Sequence, residues 1–256
     1  MANMIIVAPL PIAAIAASRG SGVANLLTAD PKEVWADTSV GTAATIDIDL
    51  GAVLAIDTIY LGHVLGPVAG ASWTITGGAA GYAEAVIQAA SPLRVPDVAG
   101  RAPVLSHALC FGAVANVRYL RLSITQPSGS AALKAGVLLV GRAFQPAFGR
   151  EWGSGRKPID SSTITPLSGG GYGVAEGAVK LGCYWTFGDL SADEVDALED
   201  IALDRGESRT LLVVEDPAMT AGLHRRIHYG LFERFRPFER RNRVQTRWEL
   251  GIEQWV

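Results

Sequence analysis

Four histidines, two cysteines and a few groups of carboxylates and arginines are the residues of this 256-residue chain whose types could carry chemistry. His224 and His228 stand four apart, the spacing that sets two imidazoles on one helix face for a metal ion. Zinc chemistry also needs a third ligand and a general base, and the intervening positions begin with Arg225 and Arg226 and hold no glutamate. The pair is expected as loop or strand-surface histidines. A serine nucleophile needs a supporting turn and a base, yet no Gly-x-Ser-x-Gly occurs, and Gly153-Ser154-Gly155 lies between Arg150 and Arg156. Asp47 with Asp49, and Asp193, Asp196, Glu199, Asp200 and Asp204, are carboxylates of the kind that work in pairs in glycoside hydrolysis. Strand alternation explains the first pair, and the solvated face of a helix explains the rest. The run Gly169-Gly170-Gly171-Tyr172-Gly173 lacks the Lys-Ser/Thr of a phosphate cradle. Cys110 and Cys183 each sit alone in strand-like segments and read as buried free thiols. The expectation is a non-enzyme with no catalytic residue, no metal and no cofactor.

Charge segregation is the stronger signal. Between Asp189 and Asp216 there are 10 acidic and 2 basic residues, and between His224 and Arg247 there are 8 arginines and 2 glutamates. In a single copy these would form surface ion pairs of small individual value. In a ring, the acidic face of one subunit could meet the arginine face of the next and set its register. Arg234, Arg236, Arg240, Arg241 and Arg243 are therefore the candidate subunit-interface or lumen residues. The same arginines interleave with Phe232, Phe235 and Phe238, a pattern that also suits single-stranded nucleic acid. The acidic neighbour and a formal net charge of -3 argue against it, and no sequence-specific nucleic-acid binding is expected.

The elements that position these residues fall into two kinds. Residues 1–144 form short runs rich in Val, Ile, Leu and Thr, punctuated by Gly, Pro, Ser and Asp, as in an all-β sandwich. The apolar opening Met4 to Ala17 has no Lys or Arg before Arg19, is interrupted by Pro9 and Pro11, and is too short to span a bilayer. It is read as a folded strand segment, without membrane insertion. Thr45 to Leu50 alternates, with Ile46, Ile48 and Leu50 on one side and Thr45, Asp47 and Asp49 on the other. Ile56–His63, Ser72–Thr76, Val117–Thr125 and Gly136–Arg142 are expected as further strands. Residues 145–173, rich in Pro and Gly, read as a connector or exposed loop. Beyond them, 174–256 reads as an α+β domain. Its strands are Ala178–Phe187, Arg209–Glu215, Arg226–Phe235 and Gln245–Trp255. Its one helix opens with the capping box Ser191/Glu194, turns Val195, Leu198, Ile201 and Ala202 inward, and stops at Gly206.

Certain stretches are also familiar. Asn25-Leu26-Leu27-Thr28-Ala29-Asp30-Pro31 with Trp35, Ile46 to Gly51, Ile56 to Gly62, and Val117 to Leu122 make residues 20–143 resemble the discoidin, or coagulation-factor C-type, module. The resemblance implies a galactose-binding-like β-sandwich of jelly-roll form. Sugar-binding members use loop aromatics, for which Trp35 or Trp73 are the candidates if they are not core. Members with a structural calcium hold it through an acidic residue near Asp30 and a late glutamate. Here the late strand reads Leu133-Lys134-Ala135-Gly136-Val137, and no metal is expected.

The helix from Ser191 to Gly206, followed by Leu211 to Pro217, Tyr229-Gly230-Leu231 and Trp248 to Trp255, resembles the C-terminal region of tail proteins from long-tailed bacteriophages. The resemblance implies that this α+β domain is barrel-like and that the chain is a structural virion protein: a distal tail or baseplate component, made in the bacterial host cytoplasm. Such a protein forms a hexameric ring that joins the tail tube to the hub or tip proteins. The alternative is a host-surface carbohydrate-recognition protein attached to the tail.

Overall fold

A computed structural model describes residues 4–38, 43–66, 69–93, 106–127 and 132–256. Among the described residues the chain is mainly β, with one α-helix, and it divides into two units. The first comprises Met1–Gln145 and Leu212–Ile227; the second comprises Pro146–Leu211 and His228–Val256.

In chain order the first unit contains β1 (Ile5–Pro9), β2 (Ala14–Ala17), a 3-10 turn (Val23–Leu27), β3 (Trp35–Ala36), β4 (Ala44–Val64), β5 (Ser72–Gly78), β6 (Ala85–Pro92), β7 (Ser106–Thr125), β8 (Lys134–Ala135) and β9 (Val137–Phe144). The two runs Thr45–Leu50 and Ile56–His63, expected as separate strands, are parts of β4, which pairs antiparallel with β7 from Ala44↔Ile124 to Val64↔Ser106. Register shifts between Asp49 and Leu54 and between Ile56 and Thr58 bend the pair. At the bend, Gly51 takes φ +80°, and its N–H is held by Asp49 Oδ1 at 2.7 Å. Before the bend β4 carries β2; beyond it, β4 carries β9, which in turn carries β1. Residues from both halves of the bent strands, Ile46, Ile48 and Leu122 with Ile59, Leu61 and Cys110, enter one buried cluster with Trp35 and Trp73. The opening apolar run is two strands, as expected.

The second unit starts in the stretch expected as a connector, which holds three strands: β10 (Gly155–Asp160), β11 (Thr163–Pro166) and β12 (Tyr172–Ala175). Their polar, Gly- and Pro-rich sequences hid them, because they face water and show no apolar period. β13 (Val179–Leu190) and helix α1 (Ala192–Arg205) follow. Ser191 and Glu194 form the reciprocal capping box and Gly206 ends the helix, as the sequence indicated, although only Leu198 of its apolar face is buried. The chain then returns to the first unit with β14 (Leu211–Val214), which pairs with β1, and a 3-10 turn (Leu223–Arg225). It closes in the second unit with β15 (Ile227–Phe232), β16 (Glu239–Arg240) and β17 (Thr246–Gln254).

The expected barrel is not formed. Pairing in this unit runs β10-β13-β17-β15, with β16 on the start of β17, and among the described residues no pairing returns from β15 to β10. The free side of β10 carries Arg156, Lys157 and Pro158, charges and a residue without an N–H, which blunt an edge against further pairing. In β17, Trp248, Leu250 and Ile252 are buried while Glu249 and Glu253 are half-buried, following the alternation of the sequence.

Candidate recognition and interface surfaces

On the first unit the alternation of β4 decides which side chains meet solvent. With Ile46, Ile48 and Leu50 in the core, Asp47 and Asp49 stand on the outer face, opposite Arg121 and Tyr119 of β7. Arg121 donates through Nε and Nη2 to the two oxygens of Asp47 at 2.6 and 2.7 Å, and Arg118 does the same to Asp49 at 2.8 and 3.0 Å. Such forked pairs fix both partners in one plane. Tyr82 and Tyr119 meet edge to face at 5.1 Å, with the Arg121 guanidinium over Tyr82 and that of Arg118 over Tyr119. Hydrogen bonds from Arg118 and from the Gly51 N–H hold the Asp49 carboxyl below the usual carboxylate range, and burial, with Asp47 and Asp49 nearby, raises the Tyr82 phenol. The result is a half-exposed, electrically balanced face in which two aromatic rings lie beside fixed donors and acceptors. Trp35 and Trp73 are in the core instead, at 0% and 1% exposure, and the indole N–H of Trp35 donates to the Arg19 carbonyl.

The second unit leaves more of its chemistry outward. The five candidate arginines do not share one environment. Arg234 and Arg236 line a recess of about 460 Å³ with Tyr184, Trp185, Glu233 and Glu249. Arg240 lies exposed in β16, Arg241 pairs with Glu151 at 3.0 Å, and Arg243 stands in the exposed turn between β16 and β17. Among the described residues, Arg234, Arg236, Arg240 and Arg243 make no ion pair, and neither do Asp193, Asp196, Glu199 and Asp200 of α1. Phe232, Phe235 and Phe238 pack around the buried Trp248 side chain and each other, with centroid separations of 4.7–6.4 Å. Rings packed in this way are poorly placed to stack on bases.

A second recess of about 470 Å³ lies at the end of β17, lined by Lys180, Glu207, Glu233, Glu253, Phe232 and Trp255 among others. Lys180 pairs there with Glu253, Tyr184 Oη donates to Glu233, and the Phe235 N–H donates to Glu207. This recess was not legible in the sequence, because its carboxylates come from the residue after β15, from β17 and from the segment after α1.

The histidines and cysteines are buried or half-buried. His224 belongs to a 3-10 turn and His228 to β15, so they share no helix face. His228 is buried beside Cys183 Sγ, at 3.4 Å, and Gln254. Cys110 and Cys183 are free and buried, and burial, with a smaller contribution from Asp57, pushes the Cys110 thiol up to about 11. His107 Nδ1 lies 2.9 Å from Tyr60 Oη and accepts the His63 N–H. Ser154 Oγ donates only weakly, to the Glu151 carbonyl at 3.4 Å. Among the described residues no group of three or more His, Cys, Asp or Glu is arranged to hold a metal ion, and no helix is long and apolar enough to cross a membrane.

No family model matches the chain, and no curated protein does. Three solved structures align with parts of the chain at TM-scores below 0.5. A GH29 fucosidase from Ruminococcus gnavus in complex with fucose aligns at 12% identity and a TM-score of 0.39 over 51% of this chain, which spans a quarter (25%) of the fucosidase. Chitosan-binding module 1 of a chitosanase/glucanase from Paenibacillus sp. IK-5 aligns at 14% identity and a TM-score of 0.36, over 50% of this chain and 92% of the module. Truncated AlyQ, with CBM32 and alginate lyase domains, aligns at 14% identity and a TM-score of 0.40, over 84% of this chain and 56% of its own.

Proposed function

We propose that the chain is a non-catalytic recognition protein whose first unit binds glycan on the outer face of β4 and β7. The observation that supports this reading is the face itself. Tyr82 and Tyr119 offer apolar ring surface to sugar C–H groups, while the Asp47–Arg121 and Asp49–Arg118 forks hold hydroxyl acceptors and donors in fixed positions. The arrangement carries no net charge and presents no nucleophile or displaced proton, which suits binding rather than turnover.

The test is a glycan array probed with the whole chain, because β1 pairs with β14 and residues 1–144 alone lack that strand. The expected result is retention of a defined glycan by the wild type and at least a tenfold weaker signal for Arg121→Ala and Tyr82→Ala. Loss of a half-exposed pair costs roughly 1 kcal/mol or less in stability, so both variants stay folded. A wild type that retains no glycan, or variants that bind as it does, would overturn the reading.

A second reading, assembly into a ring of the phage-tail kind, is favoured by a different observation. Four arginines and four helix carboxylates of the second unit carry opposite charge with no partner in the same copy among the described residues. In this form the protein is a virion component joining the tail tube to the hub or tip. The phage context rests on the resemblance of residues 174–256. Light scattering of the purified chain across a concentration range tests it: defined oligomers support it, and a monomer throughout counts against it.

A further inference from the structure

The two ends of β17 are chemically opposite. Before Thr246 stands the turn Arg240-Arg241-Asn242-Arg243-Val244-Gln245, with three arginines and Val244 exposed. The turn is held in shape from within. Asn242 Oδ1 accepts the N–H groups of Val244 and Gln245, both at 2.9 Å, and the Arg241 N–H donates to the Gln245 carbonyl. A loop already held in this way loses little further freedom when it docks. At the other end, Glu253 and Trp255 line the 470 Å³ recess with Glu207, Glu233 and Phe232, and Lys180 is its one basic lining residue. Three carboxylates against one ammonium leave the recess acidic, and the Trp255 ring adds a surface over which a guanidinium is attracted.

The turn and the recess cannot meet within one copy. Eight residue steps of extended chain separate Thr246 from Gln254, roughly 27 Å at strand rise. Between copies nothing separates them. We propose that the turn of one copy seats in the recess of the next, with Arg243 as the inserted side chain facing Glu207 and Glu253. This names the contact behind the assembly reading given above and rests on that reading. Because the donor and acceptor surfaces differ, the contact is heterologous, and repeated application gives a closed ring or an open filament according to the rotation per step.

The experiment is sedimentation equilibrium of the full chain, wild type against Arg243→Glu, Glu207→Arg and the double variant, at low and high salt. Each single variant is expected to weaken association at least tenfold, high salt to weaken the wild type, and the double variant, with the charges exchanged, to recover most of the loss. Arg243 lies in an exposed turn, so its replacement leaves the fold intact by circular dichroism. Should Glu207→Arg misfold through loss of the Phe235 N–H contact, Ser161→Arg blocks the same recess from an exposed wall. A wild type that is monomeric at every concentration overturns both the assembly reading and this contact. A wild type that associates while the single variants match it, or a double variant that recovers nothing, overturns the contact and leaves the assembly reading standing. Loss of glycan-array signal in Glu207→Arg with association unchanged would make the recess a sugar site and would also overturn the contact.

Discussion

The two units handle charge and apolar surface differently. In the first, Arg19 is paired with the buried Asp37, Arg226 with the buried Glu215, and Asp47 and Asp49 with arginines of the neighbouring strand. Its bent strands close over a single cluster in which Trp35, Trp73 and 17 Leu, Ile and Val side chains are buried. In the second, α1 and the β15–β17 region keep opposite charges apart, and apolar side chains stand in water on the β11–β12 hairpin and around it: Trp152, Ile164, Leu167, Tyr172, Val174 and Val179. Among the described residues the first unit pairs the charges named here within the copy, whereas the second leaves Arg234, Arg236, Arg240 and Arg243 without an ion pair.

The largest test of that contrast is Trp73→Ala. The indole is enclosed at 1% exposure in the first unit's cluster, so its removal should cost about 3–5 kcal/mol in denaturant unfolding. A cost below about 1 kcal/mol would mean that this cluster does not hold the unit together.

Acid gives a smaller effect from the same unit. Burial lowers the His63 imidazole to about 4, against about 6.5 in an unfolded chain. Between those values the unfolded chain carries more protons, so stability is intact above about pH 6.5, falls as pH drops towards 4, and is level below that. The expected loss is on the order of 3 kcal/mol. His63→Asn, which tolerates the φ of +53° at this position, should flatten the slope, and an unchanged slope would assign it elsewhere.

The smallest effect on stability should come from Trp152→Ser. At 103% exposure the side chain contributes within about 0.5 kcal/mol to folding. The same substitution should weaken self-association several-fold in sedimentation. If it destabilised the chain instead, the contrast between the units would narrow.

These differences also explain what could be read from the sequence. The alternation Thr45 to Leu50, the capping box of Ser191 and Glu194, and the inward Trp248, Leu250 and Ile252 were legible because burial imposes a period of two or 3.6 on residue type. Strands β10 to β12 were not, since nothing packs on them to impose a period. The failure of the barrel to close was equally hidden, because closure depends on which strands become neighbours, and residue types along one strand do not state that. For the face on β4 and β7 a signal was present. Asp47-x-Asp49 and Arg118-Tyr119-x-Arg121 are complementary, but only the register that sets them side by side makes them one surface. The recess at the end of β17 left no local mark, as its acids are gathered from three separate segments.

The return of the chain to place β14 against β1 governs the order of events during synthesis. β9 covers one side of β1 once Phe144 has been made, but Ile5, Ile6 and Val7 wait for Leu212–Val214 on the other. About seventy residues lie between, which at roughly 5–20 residues per second keeps that apolar edge open for about 4–14 s on the ribosome. Throughout that interval each nascent chain offers its neighbours on the same message a ready template for strand pairing. The yield of soluble protein should therefore depend on how fast translation crosses residues 145–214, and a pause placed in that stretch should lower it more than the same pause placed after Val214.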